Sequence, residues 1–523
     1  MADAPMNMAD VVLTPPLARG QGADIAIVCG NEAVSFAELN ERANRAGNAF
    51  RALGIEAGDR VLLVVVDRPV FFYAYLGLLK IGAVPCALNL RLSVDDLAYT
   101  FADSAAPVVL ADQDFLDACE TAVAKMPAAK PRLIVAHGSA ANHSSLTELI
   151  DAASPELTSV KRPPDAPGFW MYSSGTTGKP KGVVHAQRTV FAATAVLGDL
   201  MGVARGDRVY CSSKLFFAFA LGHLMFGTLQ LGATAVLYPG WPDAAAVADV
   251  IDRHRPTIVL SVPTFYRNML RGGVAAQPAF RQVRYFMSAG EKLPRALFDQ
   301  WHEQTRRPIL DGIGATETCF LSLSNRPDRM KPGTCGLPAP GTEAKLIAED
   351  GTLVTEPDRA GVLWVKLVSV ANGYWNLDTL SAAVFKDGWY CTNDMFTFDA
   401  EGFYEYQGRA DDMLKISGQW VSPAEIEEHV LKHPNVSEAA VVGVPNEDGL
   451  VRLALFMVAP QVSDRPVFEK ELQDALVASL SIYKCPRRVF YVESMPVTAT
   501  GKLQRYALRQ IAQKDVQFGE DRV

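Results

Sequence analysis

Through roughly its first four hundred residues the chain alternates amphipathic helical patterns with short, β-branched apolar runs, and few folds accept that rhythm. The stretch SFAELNERANRAGNAFRALGI, Ser35 to Ile55, opens with a Ser cap and a Glu three residues on, and its apolar positions recur at helical spacing. Next comes DRVLLVVV, suited to a strand buried on both faces. A helix over Val70 to Lys80 and the run GAVPCAL follow, and the alternation returns around APVVLAD, TIVLSVP and VRYFMSAG. Strand, helix, strand in this order requires crossover connections, so the fold class is α/β, with parallel sheets covered by helices.

A chain of 523 residues is too long for one core. Its texture changes after about Gly333, where TEAKLIAEDGTLV, AGVLWVKLVS and DGWYCTNDMFTFDAEGFYEYQGR read as short strands with Asp-Gly or Glu-Gly turns. These make a small β-rich, mostly antiparallel subdomain over about 333–410, closing an N-terminal domain of residues 1–410. From Asp411 a fresh α+β pattern begins: helix PAEIEEHVLKH, strands VSEAAVVGVP and RLALFMVA, and helix FEKELQDALVASL. Residues 411–523 suffice for a small C-terminal domain.

The segment LFFAFALGHLMFGTLQLGATAVLYPG, Leu215 to Gly240, invites a membrane reading. His223, Gln230 and several glycines interrupt it, and LQLGATAVLY reads as a helix end followed by a buried strand, so no membrane span is expected. The N-terminus lacks the basic start and apolar core of a signal peptide. Eight scattered cysteines without a Cys-x-x-Cys pair point to reduced thiols and a cytoplasmic protein. His429 and His433 stand at i,i+4 without neighbouring ligands, which argues against a metal there. A net charge of −8 argues against nucleic acid as a partner.

The densest chemistry lies in MYSSGTTGKPKGVVH, Met171 to His185. An apolar strand, GFWMY, leads into SSGTTGKPKG, which offers glycines, hydroxyls and lysines together. Glycines let successive backbone N–H groups converge into an anion nest, hydroxyls add donors, and lysines add counter-charge. This is phosphate-binding chemistry. It is not a Walker loop, because two residues separate Gly175 from Gly178 and Pro180 stands where Ser or Thr is required.

With this loop the sequence resembles the adenylate-forming enzymes, which include acyl-CoA synthetases, luciferases and peptide-synthetase adenylation domains. The resemblance spans nearly the whole chain. It rests also on MSAGEKLP (Met287 to Pro294), DGIGATE (Asp311 to Glu317), WYCTNDM (Trp389 to Met395), GRADDMLKISGQWVSPAEIE (Gly408 to Glu427) and TATGKLQR (Thr498 to Arg505), in the family's order. KLFFAFALGH (Lys214 to His223) and DGIGATETCFLSLSNRPDR (Asp311 to Arg329) look most like the aryl-CoA ligases, benzoate–CoA ligases especially.

The resemblance implies ATP, Mg²⁺ and coenzyme A as cofactors, and a small carboxylic acid joined to AMP before a thiol displaces it. Ser173, Ser174, Gly175, Thr176, Thr177, Gly178 and Lys181 would close over the β- and γ-phosphates. Thr316 would face the α-phosphate and Glu317 the Mg²⁺. Ala289, Gly290 and Glu291, with Asp311, Gly312, Ile313 and Gly314, would line the adenine; many relatives carry an aromatic residue at the place of Ile313. Asp394 and Arg409 would hold the ribose. Lys502, with Glu317 and Thr177, is assigned to catalysis, its point charge bridging the acid carboxylate and the α-phosphate. Asp411 matches the family's hinge, about which a mobile C-terminal domain rotates between half-reactions, bringing Lys415 and Gly418 to the CoA side.

Phe217, Ala218, Phe219, Tyr266 and Phe320 are expected to wall the acid pocket and to suit a flat ring. Benzoate or a substituted benzoate is the expected acid; hydroxycinnamates, alicyclic or medium-chain acids and loading of a carrier protein are the alternatives. Phe219 and Phe320 stand where benzoate enzymes carry Tyr and His, so a ring hydroxyl would lack obvious partners. That weights the expectation toward unsubstituted, halogenated or methylated rings. A monomer or a homodimer is compatible with all of this.

Overall fold

The Ser35 hydroxyl accepts a hydrogen bond from the Glu38 N–H (3.2 Å) and starts the helix Phe36–Ala52, as the cap pattern predicts. The next helix, Pro69–Lys80, has proline at its first turn and is buried at every position but Tyr73. The computed structural model describes residues 4–127, 130–174, 179–416, 419–445, 451–480, 482–497 and 503–516. By its internal contacts the chain divides into two units: Met1–Lys345 with Trp364–Thr392 and Gly402–Tyr404, and Leu346–Leu363 with Asn393–Glu401 and Glu405–Val523.

The first unit holds two large sheets. One runs, edge to edge, Leu337–Pro338, Leu321–Ser324, Ile309–Gly314, Tyr285–Ser288, Ile258–Ser261, Arg208–Cys211, Thr234–Leu237, Ile25–Cys29 and Glu32–Ser35. From Ile309–Gly314 to Ile25–Cys29 all neighbours are parallel. The other runs Gly373–Tyr374, Pro180–Ala186, Pro167–Ser174, Val84–Ala87, Arg60–Val64, Val108–Ala111, Arg132–Val135 and Ser144–Ser145. It is parallel except at the Pro167–Ser174/Pro180–Ala186 hairpin and the short Gly373–Tyr374 strand. Strands such as Val108–Ala111 and Ile258–Ser261 are buried at every position, which their apolar runs required.

The apolar stretch after Leu215 forms a buried helical segment, Ala220–Gly227, and then the buried strand Thr234–Leu237. Among the described residues no helix is long and apolar enough to cross a membrane. None of the eight cysteines, all of them among the described residues, is joined in a disulfide.

The expected run of short strands after Gly333 is present, and its Asp-Gly turn takes the predicted form. Lys386 pairs with Trp389 across a two-residue loop in which Asp387 (φ 52°) and Gly388 (φ 79°) are both left-handed. That is the hairpin turn an Asp-Gly pair favours.

In the second unit the hairpin Leu414–Ile416/Gln419–Val421 precedes the helix Pro423–Val430. A three-stranded sheet follows, Glu438–Pro445, Val451–Val458 and Arg488–Tyr491. Alternation sorts its side chains: Val441, Leu453, Leu455 and Met457 pack with Ile426, Phe468 and Leu472, whereas Val442, Ala454 and Phe456 pack with Leu508 and Ala512.

Candidate active site

In open parallel sheets ligands settle at the carboxyl ends of the strands. Strand Tyr285–Ser288 ends there in Ala289, Gly290 and Glu291; strand Ile309–Gly314 carries Asp311, Gly312, Ile313 and Gly314 and leads into Thr316 and Glu317. Gly290 lies at φ 90°, and a Cβ added to it would meet only Val262 at 3.8 Å, so conformation and not space requires glycine. Glu291 accepts bonds from the Thr264 hydroxyl (2.7 Å) and amide (3.2 Å). Asp311 is buried, and burial pushes its carboxyl well above the ordinary range.

The turn after this strand is held tightly. Ala315 donates to the Thr318 hydroxyl (3.0 Å), and Ser369 Oγ donates to the Thr318 carbonyl (2.6 Å). Cys319 sits at φ 61°, a left-handed conformation that a non-glycine residue holds only where its surroundings fix it. Thr316, Glu317 and Phe320 are therefore set on one rigid turn.

Glu317 is buried and accepts a hydrogen bond from the Tyr374 hydroxyl (2.8 Å). Lys181 lies over the Tyr374 ring, 4.7 Å from its centre. Tyr374 also pairs with Val183 in the sheet, so the strand leaving the Gly/Thr loop and the acidic turn are braced by one residue. His185 adds a second brace. It stacks on Phe169 (4.6 Å), burial pulls its pKa down to about 4, and its Nε2–H donates to the Thr316 carbonyl (2.8 Å). Sequence patterns give neither Tyr374 nor His185 a role, although His185 closes the Met171–His185 stretch; only the sheet pairing reveals them. Ser173 has a buried hydroxyl with no partner among the described atoms. Gly175, Thr176, Thr177 and Gly178 lie outside the described residues, as does the Ser174 side chain.

The aromatic segment is fixed at its start. Leu215 N–H donates to Asp67 Oδ1 (3.2 Å), and Lys214 Nζ donates to the Tyr238 carbonyl (2.6 Å) with Asp67 Oδ2 at 3.7 Å. Both charges are buried; burial pushes Asp67 up to about 6, against the pull of Lys214. Lys214→Met is expected to cost roughly 3 kcal/mol in urea unfolding at pH 7, because it strands a buried carboxylate. The penalty should shrink at pH 5. A folded-state pKa above the unfolded value means the folded form takes up the proton first as pH falls, and the neutral carboxyl is tolerated. An equal penalty at both pH values would deny that Asp67 is charged at pH 7.

Beyond Lys214, Phe217, Ala218 and Phe219 are half-buried and Phe320 is buried. Phe219 and Phe320 each meet the ring of His223 edge-on, at 5.4 Å and 5.5 Å. Tyr266 does not join them. It is completely buried in a separate core cluster of this unit, with its ring against Trp301 (4.7 Å) and its hydroxyl donating to the Met287 carbonyl (2.7 Å). Sequence patterns also give His223 no role; its one signal there is a lone imidazole inside an otherwise apolar run.

In the second unit, Asp394 is buried and Arg409 Nη1 lies 3.2 Å from its Oδ1, so the two residues expected at the ribose are together. Arg505 ties the end of the TATGKLQR stretch to Glu427 (3.0 Å) and Asp412 (3.4 Å). Lys502 and Gly418 lie outside the described residues, as do the side chains of Asp411 and Lys415.

A family model for AMP-binding enzymes matches residues 17–375, and one for the AMP-binding enzyme C-terminal domain matches 425–502. The chain is 45% identical over 508 residues, 97% of each chain, to a 3-hydroxybenzoate–CoA ligase of Aromatoleum sp. (strain CIB). It is 45% identical over 513 residues, 97% of this chain and 98% of the other, to a 3-hydroxybenzoate–CoA/4-hydroxybenzoate–CoA ligase of Thauera aromatica. The solved anthranilate CoA ligase AuaEII, in complex with anthranoyl-AMP, superposes with a TM-score of 0.89 at 31% identity, covering 98% of both chains. The chain belongs to the AMP-binding enzyme family and, within it, to the AMP-forming acid–thiol ligases of the aryl-CoA ligase type.

Proposed function

We propose that this ligase acts on a hydroxybenzoate, 3-hydroxybenzoate foremost, and joins it to coenzyme A through an acyl-adenylate. The observation that carries the reading is the 45% identity, over 97% of this chain, to hydroxybenzoate–CoA ligases. That likeness outweighs the weighting drawn from Phe219 and Phe320 alone.

In the first half-reaction a carboxylate oxygen attacks the α-phosphorus of ATP and diphosphate leaves. Ser173, Ser174, Thr176, Thr177 and Lys181 compensate phosphate charge, Thr316 orients the α-phosphate, and Lys502 bridges it to the carboxylate. Asp394 and Arg409 hold the ribose. The donor set suits Mg²⁺: the Glu317 carboxylate is buried, and the Tyr374 that donates to it also carries Lys181 over its ring. Mg²⁺ takes few protein carboxylates and completes its shell with phosphate and water. When bound, it supplies positive charge against the phosphates. In the second half-reaction the CoA sulfur attacks the acyl carbon and AMP leaves, with Lys415 and Gly418 at the thiol side after rotation about Asp411.

CoA-dependent AMP release tests the substrate. Across benzoate, fluoro- and hydroxybenzoates, cinnamate, coumarate, cyclohexanecarboxylate and hexanoate, hydroxybenzoates should give the highest kcat/KM, with benzoate behind them. Preference for cinnamates or alkyl acids would discard the substrate while keeping the ligase chemistry.

A further inference from the structure

The turn that carries Thr316 and Glu317 is held by its backbone, one carbonyl after another. The Thr316 carbonyl accepts from His185 Nε2–H (2.8 Å), that of Glu317 from the Ala371 amide (2.9 Å) and that of Thr318 from Ser369 Oγ–H (2.6 Å). A carbonyl can only accept, so the His185 proton sits on Nε2. Burial keeps the ring neutral in the working range. Of the three donors, the imidazole alone comes from the strand Pro180–Ala186 that leaves the Gly/Thr loop; the other two lie just before the short strand Gly373–Tyr374.

The imidazole is itself fixed by its neighbours. His185 is the cross-strand partner of Phe169 in the hairpin Pro167–Ser174/Pro180–Ala186, and the two rings stack at 4.6 Å with 9° between their planes. Phe169 in turn meets Phe226 at 5.6 Å in the core. His185 is completely buried, and a ring packed on that core cannot shift without disturbing it. Its Nε2–H is therefore a fixed point for the Thr316 carbonyl. Ser173 and Lys181 pair with each other at the loop end of the same hairpin.

We propose that His185 is a positioning residue of the adenylation step, whose Nε2–H sets Thr316 against the hairpin that carries Ser173 and Lys181. The inference rests on the adenylation reading above, in which Thr316 faces the α-phosphate, and adds the group that registers the two phosphate-binding elements with each other. An apolar side chain at this position would fill the space but leave the Thr316 carbonyl unpaired, and a small displacement of a phosphate ligand is costly in rate.

The test compares side chains by reach, with isotope exchange between diphosphate and ATP as the assay and the best acid of the panel above as substrate. His185→Leu should lower the saturated exchange rate about tenfold and leave the KM for the acid within about twofold. His185→Gln places an amide N–H close to the position of Nε2 and should stay within about threefold of wild type. His185→Asn, equally polar but too short, should fall as far as His185→Leu. Added to Thr316→Ala, itself impaired, His185→Leu should cost no more than about twofold further. A merely structural brace would lower the unfolding temperature and leave the rate per folded molecule unchanged; that result, or additive losses, overturns the inference. If none of the His185 variants folds, nitrogen NMR shifts of the wild-type histidine rings decide: an Nε2–H tautomer supports the inference, and an Nδ1–H tautomer, unable to donate to Thr316, overturns it. Full activity in Thr316→Ala would instead remove the α-phosphate assignment, whatever His185 does.

Discussion

Lys502→Ala is expected to lower aroyl-adenylate formation by at least about 10²-fold, while thioester formation from supplied aroyl-adenylate stays within about threefold of wild type. The split follows from where charge develops. In the first half-reaction an anionic carboxylate approaches an anionic phosphate, and a cation bridging the two is worth most at the transition state. In the second, a sulfur attacks an activated acyl carbon and AMP departs with its charge already formed. Nothing in that step needs the same bridge. Isotope exchange between diphosphate and ATP reports the first step alone; CoA added to chemically prepared aroyl-AMP reports the second. Equal losses in both would sink the division of labour.

Legibility in the sequence followed the range of the interaction. The Ser35 cap, the Asp387-Gly388 turn and the two-sided burial of DRVLLVVV are decided within a few residues, so the residue pattern alone suffices to read each of them. The order of strands in the two sheets is not legible that way, since neighbours such as Val84–Ala87 and Pro167–Ser174 are set by packing over long separations. The same division runs through the site. Glu317 and the Gly/Thr loop lie in contiguous motifs, but Tyr374 reaches Glu317 from fifty-seven residues away and His185 reaches Thr316 across one hundred and thirty-one. Tyr266 illustrates the opposite error. It is aromatic and near the motifs in sequence, yet on helix Pro263–Arg271 it shares the inward face with Met269, and that face meets Trp301 in a core cluster separate from that of Phe217, Phe219 and Phe320.

The second large effect concerns the acidic turn and comes in two grades. Glu317→Gln keeps the shape and a hydrogen-bonding oxygen but removes the charge, so adenylation kcat/KM should fall by roughly 10²-fold. The Mg²⁺ concentration giving half-maximal rate should rise as well. Tyr374→Phe deletes the hydroxyl that donates to Glu317 at 2.8 Å and leaves the carboxylate in place. A hydrogen bond to a charged group is worth about 1.5–3 kcal/mol, so a loss of about tenfold or somewhat more is expected. Tyr374 is a positioning residue, and its variant must shift the Mg²⁺ dependence in the same direction as Glu317→Gln, with the KM for the acid unmoved. A merely structural role would instead lower kcat with an unchanged Mg²⁺ profile. The double variant separates the two possibilities further. If Tyr374 acts through Glu317, removing its hydroxyl from the Glu317→Gln enzyme should cost much less than removing it from wild type, and the energies should not add. Additive losses would mean that Tyr374 serves the site by another route, of which its ring beneath Lys181 is the one the geometry offers.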